Sequence, residues 1–308
     1  MNTITVVGSI NLDRTIRVTQ MPKPGETMHT QALFSAGGGK GANQAVAAKR
    51  AGAKTHFIGA VGADDAGRTM RELLAQAAID ITGVVTVSEA TGQAYIIVDD
   101  HGENSIMIHA GANAAFTPAQ VAAHAEVIRG SDFVIAQLES SLPSTIKAFE
   151  LARAAGVKTI LNPAPALKEV PAALLRVSDM IVPNETETEI LTGIKVTDEA
   201  SMQAAASALH ALGIAAVIIT VGAHGAYYDV AGRHGIVPAF PVKAVDTTAA
   251  GDTFIGAMSS VLAPDFSNLE AAITYANRAS SLTVQRFGAQ PAIPYAREIQ
   301  AASKTDDA

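Results

Sequence analysis

The sequence predicts an α/β protein: a mostly parallel central sheet with helices on both faces, plus a small accessory sheet. Three observations lead there. Short apolar runs rich in Val and Ile recur along the chain and are too short for helices. Helical patterns separate them, as in βαβ units. Two segments instead alternate apolar and polar residues, which is the period of strands packed on one face only.

In order, residues 3–7 read as a buried strand ending at Gly8, and 41–50 as an alanine-rich helix stopped at Ala51-Gly52. A strand over 55–61 and a helix over 66–77 follow. Further short strands are expected over 132–136, 157–161, 180–182 and 215–220, with helices over 143–155, 185–191 and 250–262. Residues 13–34 and 91–109 break the rhythm, as in Thr15-Ile16-Arg17-Val18 and Ser105-Ile106-Met107-Ile108. They read as antiparallel strands, solvated on one side, that form one small sheet from two insertions; surface hairpins without function are the plainer alternative. The polar tail after Ala301 reads as frayed.

The chain has 308 residues, which at roughly 150 per domain suggests two domains. The order of the motifs below points instead to one domain over 1–308, because segments from both ends build one site. Hydrophobic residues at 48% against 17% charged fit a globular chain and not a disordered one. A net charge of -7 argues against nucleic acid as a partner, since phosphate backbones call for a basic face. The absence of cysteine excludes disulfides, thiolate metal sites and a cysteine nucleophile. Apolar stretches such as 213–221 are too short to span a membrane, so no membrane partner is expected and a cytoplasmic location is.

The segment Asp246-Thr247-Thr248-Ala249-Ala250-Gly251-Asp252 precedes an apolar helical pattern. Small residues there leave backbone amides at a helix start, an anion site. Asp252 beside them suits a general base that takes a hydroxyl proton while the amides hold a transferring phosphoryl group. An acid that merely complements the helix dipole explains the local sequence equally well. In Gly37-Gly38-Gly39-Lys40-Gly41-Ala42-Asn43, consecutive glycines permit close backbone approach and Lys40 and Asn43 add donors, which suits a small polar ligand; a plain connector is the alternative. Gln44 stands where the third glycine of a dinucleotide fingerprint would fall.

Gly62-Ala63-Asp64-Asp65-Ala66-Gly67-Arg68-Thr69 nearly matches a P-loop, but Arg68 replaces the lysine and two acids would face the phosphates. It reads as a capped helix start. Asn184-Glu185-Thr186-Glu187 follows a strand and could organise the waters of Mg²⁺, or could simply be helix-terminal acids. The histidines form no His-Glu-x-x-His pair, and Ser9 and Ser140 lack a nucleophile elbow, so metal hydrolase and α/β-hydrolase chemistry are disfavoured.

Taken in order, Gly8-Ser9-Ile10-Asn11-Leu12-Asp13, Gly38-Gly39-Lys40-Gly41-Ala42-Asn43, His109-Ala110-Gly111-Ala112-Asn113, Gln137-Leu138-Glu139, Leu161-Asn162-Pro163-Ala164-Pro165, Pro183-Asn184-Glu185-Thr186-Glu187, Asp246 to Asp252 and Gly288-Ala289-Gln290-Pro291 resemble the PfkB carbohydrate kinase family over nearly the whole chain. The resemblance implies a kinase for ribose, or for deoxyribose, another sugar or a nucleoside; a non-catalytic sugar-binding regulator is the rival of another class. It implies Asp252 as catalytic base and Ala249, Ala250 and Gly251 as anion hole. It implies Asn11, Asp13, Gly39, Lys40, Gly41, Asn43 and Glu139 as the sugar pocket, with Asp252 touching the same substrate. Asn184, Thr220, Gly222, Gly225 and Asn277 would line an ATP cleft, with Glu187 positioning Mg²⁺ through water. Asp246, Thr248, Thr283, Arg286 and Gly288 would hold K⁺, several of them through backbone oxygens. At Ala292 the sequence departs from the potassium-activated pattern, which carries a serine there; water or a neighbouring carbonyl would substitute. Segments 13–34 and 91–109 would be a β lid that closes over the sugar and pairs two chains into a homodimer. Asp13 and Glu139 as paired acceptors favour a neutral polyol such as ribose over a sugar that already carries phosphate.

Overall fold

The computed structural model describes residues 1–306; Asp307 and Ala308 lie outside the described residues. The strands are β1 (Thr3–Val7), β2 (Asn11–Arg17), β3 (Ala32–Gly38), β4 (Lys54–Gly62), β5 (Asp80–Val87), β6 (Gly92–Val98), β7 (Asn104–His109), β8 (Phe133–Ala136), β9 (Lys158–Leu161), β10 (Met180–Ile181), β11 (Ala216–Thr220), β12 (Ala226–Val230) and β13 (Arg233–Val237). Nine of them form one sheet in the order β13-β12-β11-β10-β9-β8-β1-β4-β5. All its pairings are parallel except β11 with β12 and β12 with β13. The predicted fold class holds.

The sheet is apolar on both sides because both sides are covered. Within β8, Phe133 and Ile135 face one cluster and Val134 and Ala136 the other. The first side packs the helices Lys40–Arg50, Asp65–Gln76, Ala250–Val261 and Leu269–Thr283; the second packs Leu142–Ala154 and Glu199–Ala211. Fully buried Phe57, Phe133 and Phe149 each contribute about 1.5–3 kcal/mol of apolar burial. Among the described residues no helix is long and apolar enough to cross a membrane.

The accessory sheet runs β3-β2-β6-β7. Its two hairpins are antiparallel as expected, but they join through a parallel pairing of β2 with β6, Asp13 opposite Ala94. Residues directly opposite share a face. Asp13 therefore shares its face with Ala36, Ala94 and Ile108, and the next row is Thr15, Phe34, Ile96 and Ile106. The expectation of one solvated polar face fails. Leu33, Phe34, Ile106, Met107 and Ile108 are all more than half exposed, so apolar side chains project from both sides. The tail is also corrected: the helix Ala296–Asp306 continues past Ala301, anchored by buried Ile299 and by Arg286, which donates to Glu298.

Candidate active site

Two helix starts meet at the sheet's centre because glycines let their backbones touch. In the helix Ala250–Val261, Gly256 lies one turn beyond Asp252 on the same face. A Cβ at Gly256 would fall 2.5 Å from Ala47 Cβ and 2.6 Å from Gln44 O, so only glycine lets this helix close on Lys40–Arg50. At Gly41 a Cβ would fall 2.6 Å from Ser9 N, which draws the same helix start onto the loop after β1.

That double approach delivers Asp252 to Asn43 and Gln44. Asn43 Nδ2 donates to Asp252 Oδ2 at 3.0 Å, and Gln44 Nε2 donates to Oδ1 at 2.9 Å. The carboxyl is 7% exposed, and burial raises its pKa despite the Lys40 ammonium and the two amide donors. Each oxygen keeps a second lone pair, so the group can still accept a proton.

The amides expected at the helix start are present, with one correction. Ala249 caps the helix with φ of 61°, a left-handed conformation that costs a non-glycine residue about 1 kcal/mol, and no side chain caps the helix. Ala250 N–H already donates to Thr247 O at 3.2 Å, so it is engaged within the loop. Gly251 N–H takes no acceptor among the described residues, and nothing lies within 4 Å of where its Cβ would be. A cavity of about 180 Å³ opens here, lined by Lys40, Glu187, Thr220, Gly251 and Asp252 among others. Lys40, expected in the sugar pocket, thus lines the same cavity as the helix start at Gly251. Burial works against its ammonium, but Asp252, Glu139 and Glu187 together outweigh it and raise the pKa.

On the sugar side, Glu139 Oε2 accepts from Ser9 Oγ at 2.7 Å and from Lys40 N–H at 3.0 Å. Asn11 Oδ1 accepts from Asn113 Nδ2 at 2.8 Å. Asp13 Oδ1 and Asn43 Oδ1 are buried acceptors with no partner among the described residues. Burial pushes the Asp13 carboxyl up to about 7, with Glu139 and Asp252 adding to it. Gly38 leaves room for this carboxylate, since a Cβ there would fall 2.0 Å from Asp13 Oδ2. Gly39 adopts φ of 87° ahead of the helix. Gly41 N–H donates to Ser9 Oγ at 3.2 Å, so its amide braces the loop and does not face a ligand.

Asn184 and Glu187 form a reciprocal cap: Glu187 N–H donates to Asn184 Oδ1 at 2.8 Å and Asn184 N–H to Glu187 Oε2 at 2.9 Å. The helix-terminal role and a cavity position therefore coincide. Thr220 joins them through Pro183 O, to which its N–H donates at 2.9 Å. Gly222, Gly225 and Asn277 are absent from the cavity lining; Asn277 and Gly225 meet instead at the segment Val237-Pro238. Asn277 Nδ2 donates to Val237 O at 3.0 Å and Pro238 O at 3.1 Å, and a Cβ at Gly225 would fall 2.1 Å from Val237 O.

The residues expected at K⁺ gather in two groups. Asp246 Oδ1 accepts from Thr248 N–H at 2.9 Å and Oγ1 at 2.6 Å, and Oδ2 accepts from Gly288 N–H at 2.9 Å. These bonds outweigh burial and hold its pKa below the usual carboxylate range. Thr283 Oγ1 instead turns inward to Thr253 and Ala279 O, and Arg286 NH2 turns out to Glu298. Neither side chain bonds to Asp246, so a role for either residue at an ion would run through its backbone oxygen, as expected for several of this set. That oxygen-only donor set fits a hard cation. For magnesium, no cluster of three or more metal-ligating side chains occurs among the described residues. One cavity carboxylate, Glu187, fits an ion that keeps most of its water and takes the rest of its ligands from phosphate.

Sequence reasoning missed the role of Gln44, which stood out only as the residue where a fingerprint glycine would fall. Its signal was a polar residue next to Asn43 inside an alanine-rich helix.

The comparisons agree with this geometry. The family model for pfkB family carbohydrate kinase matches residues 1–296. A ribokinase of Staphylococcus aureus (strain COL) is 47% identical over 300 residues, covering 97% of this chain and 98% of that protein. A bifunctional ribokinase/ribose-5-phosphate isomerase A of Fructilactobacillus sanfranciscensis is 50% identical over 96% of this chain; the chain spans 55% of that protein's length. The solved structure of Arabidopsis thaliana ribokinase complexed with ribose and ATP superposes with a TM-score of 0.92 at 31% identity, covering 97% of this chain and 98% of that one.

Proposed function

The chain belongs to the pfkB family of carbohydrate kinases, and from that premise we propose that it is an ATP-dependent ribokinase, transferring the γ-phosphoryl group of ATP to the 5-hydroxyl of D-ribose. One observation carries the reading: a buried carboxylate, Asp252, lies between two unpartnered sugar-side acceptors and an uncapped helix start. Asp13 and Asn43 supply acceptors for hydroxyls, with Asn11 and Glu139 completing the pocket. Paired acids there repel a substrate that is already phosphorylated.

Asp252 takes the proton of the 5-hydroxyl as its oxygen attacks phosphorus, and the bond to the ADP oxygen breaks in line. Burial raises its basicity toward working pH. Gly251 N–H and the Lys40 ammonium face the charge that spreads over the transferring group. Thr220 and Asn184, with Gly222, Gly225 and Asn277, orient the nucleotide. Glu187, with Asn184 behind it, would hold the waters of a magnesium ion, whose charge would offset that of the phosphates. Asp246, Thr248 and the backbone near Gly288 would hold potassium, which would steady the loop that carries the anion hole.

The accessory sheet is the lid, since it carries Asn11 and Asp13 and excludes water when closed. Exposed Phe34, Ile106 and Ile108 on Asp13's own face support a homodimer through paired lids. Use of ATP and a neutral sugar is consistent with a cytoplasmic enzyme. The test is kcat/KM with ribose, 2-deoxyribose, hexoses and nucleosides, in K⁺ and in Na⁺ at matched ionic strength. Ribose is expected to lead and K⁺ to exceed Na⁺. A clear preference for a nucleoside overturns the substrate, and equal rates in the two salts overturn the ion.

A further inference from the structure

Gln44 is fully buried and makes three hydrogen bonds at the centre of the site. Its Nε2 donates to Asp252 Oδ1 at 2.9 Å and to Asn162 Oδ1 at 3.1 Å, while its Oε1 accepts from Gln137 Nε2 at 2.6 Å. Asn162 is oriented in turn, because its Nδ2 donates to Val182 O at 3.0 Å. We propose that Gln44 is a positioning residue for the phosphoryl transfer: an amide network anchored on Asn162, Gln137 and the Val182 carbonyl holds the Asp252 carboxylate in the one orientation that presents a lone pair to the sugar hydroxyl.

The network allows no flip of the Gln44 amide. Turned over, its oxygen would face two acceptors and its nitrogen would face the Gln137 donor. Both Gln44 N–H bonds are committed, so Asp252 is gripped on one oxygen by Gln44 and on the other by Asn43. Two donors from consecutive residues of one helix fix the plane of the carboxylate. Gly8 makes the arrangement possible, since a Cβ there would fall 2.2 Å from Gln137 Oε1. Val182 lines the same cavity as Asn184 and Glu187, so the network ties the base to the phosphate side of the site. A buried amide placed only for packing would not need three partners of matched polarity, and an apolar side chain would fill the space at lower desolvation cost.

Charged groups also act on Asp252: Lys40 favours its ionised form, whereas Glu139 opposes it. Asp13 and Glu187 are each destabilised by the Asp252 charge, so they oppose it as well. Loss of the Gln44 donor leaves those opposing charges less balanced. The direction is a higher apparent pKa for the base.

The inference rests on the kinase reading above, and the experiment separates the two. Wild type, Gln44→Met, Gln137→Met, Asp252→Asn and the Gln44→Met/Asp252→Asn double variant are assayed for ribose phosphorylation against pH, with ribose affinity and circular dichroism measured alongside. Gln44→Met is expected to lower kcat roughly 10- to 100-fold, leave ribose Kd within about twofold, and move the acid limb of kcat up by about one pH unit. Gln137→Met keeps both donors but frees the amide, so a smaller fall in the same direction is expected; it carries the test if Gln44→Met does not fold. In the Asp252→Asn background, adding Gln44→Met is expected to change little, because the two act as one unit. A wild-type acid limb, or losses that multiply in the double variant, overturns the inference while the kinase reading stands. A wild type that phosphorylates no sugar overturns both.

Discussion

The helix starts at Asp64 and at Ala249 differ in how they treat their first amides. At the first, Asp64 folds back on its own helix: its carboxylate accepts from Gly67 N–H at 2.8 Å, and also from Thr91 N–H at 2.8 Å and Thr91 Oγ1 at 2.6 Å. Those bonds outweigh burial and hold its pKa below the usual range. At the second, Ala249 has no capping side chain and a strained φ, and Asp252 turns from its own helix to Asn43 and Gln44, with its pKa raised chiefly by burial. An acid that closes on helix amides stabilises the fold and leaves nothing for a ligand. An acid turned aside leaves Gly251 N–H to face the cavity, and stability is given up for reactivity. The near P-loop at 62–69 is thus the structural helix start, and the segment without a phosphate fingerprint is the one proposed to hold the phosphoryl group.

The largest effect tests the reactive start. Asp252→Asn keeps the shape and removes the base, so kcat should fall by about 10²–10⁴-fold while calorimetry still shows ribose binding. Turnover at the wild-type rate would erase the contrast. Next comes the amide itself. Gly251→Pro removes one N–H in the first helical turn, where proline is tolerated, and should lower kcat by roughly 10²-fold. Gly251→Ala keeps the N–H, has open space for its methyl, and should stay within several-fold. Equal losses in both would show that the amide is not used.

The smallest effect is in stability, and the two acids should have opposite signs. Asp64 has a lowered folded pKa, so its contribution is present above the unfolded value and is lost as pH falls through the folded one. Asp64→Ala should therefore cost about 1–2 kcal/mol at neutral pH in urea unfolding, and the cost should shrink in acid. Asp252 has a raised folded pKa, so its penalty grows as pH rises from the ordinary carboxylate range toward the folded value. Asp252→Asn should be more stable than wild type at neutral pH, with the gain vanishing in acid. Shifts of the same sign in both variants would break the comparison.

Local sequence marked the start at Asp64, because capping depends on residues three apart, but left a dipole-complementing acid equally open at Asp252. Asp64 and Gly67 are visible in that way. The buried strands were legible as apolar runs, since a parallel strand covered on both faces has no other composition. The parallel junction of β2 with β6 was not legible, because period two defines a face and not a partner. The edge hairpin of β12 and β13 also escaped, although Tyr227-Tyr228 and the turn at Ala231-Gly232 were available signals. Gln44 was hidden for a related reason: its function lies in a network drawn from β8, β9 and another helix, which no window around residue 44 contains.

The accessory sheet has two zones that evolution and engineering can treat differently. Near the main sheet, Asn11 and Asp13 lie on β2, and β3 runs through Gly38 into the helix that carries Asn43 and Gln44. One residue inserted between Asn11 and Leu12 would turn the carboxylate to the opposite face and put the apolar Leu12 side chain in its place. At the far end, the exposed connection at 22–27 and the turn at 100–103 touch none of these groups. Length drift, tags or a grafted reporter belong there. The same sheet is thus intolerant of a single insertion at its base and permissive at its tips.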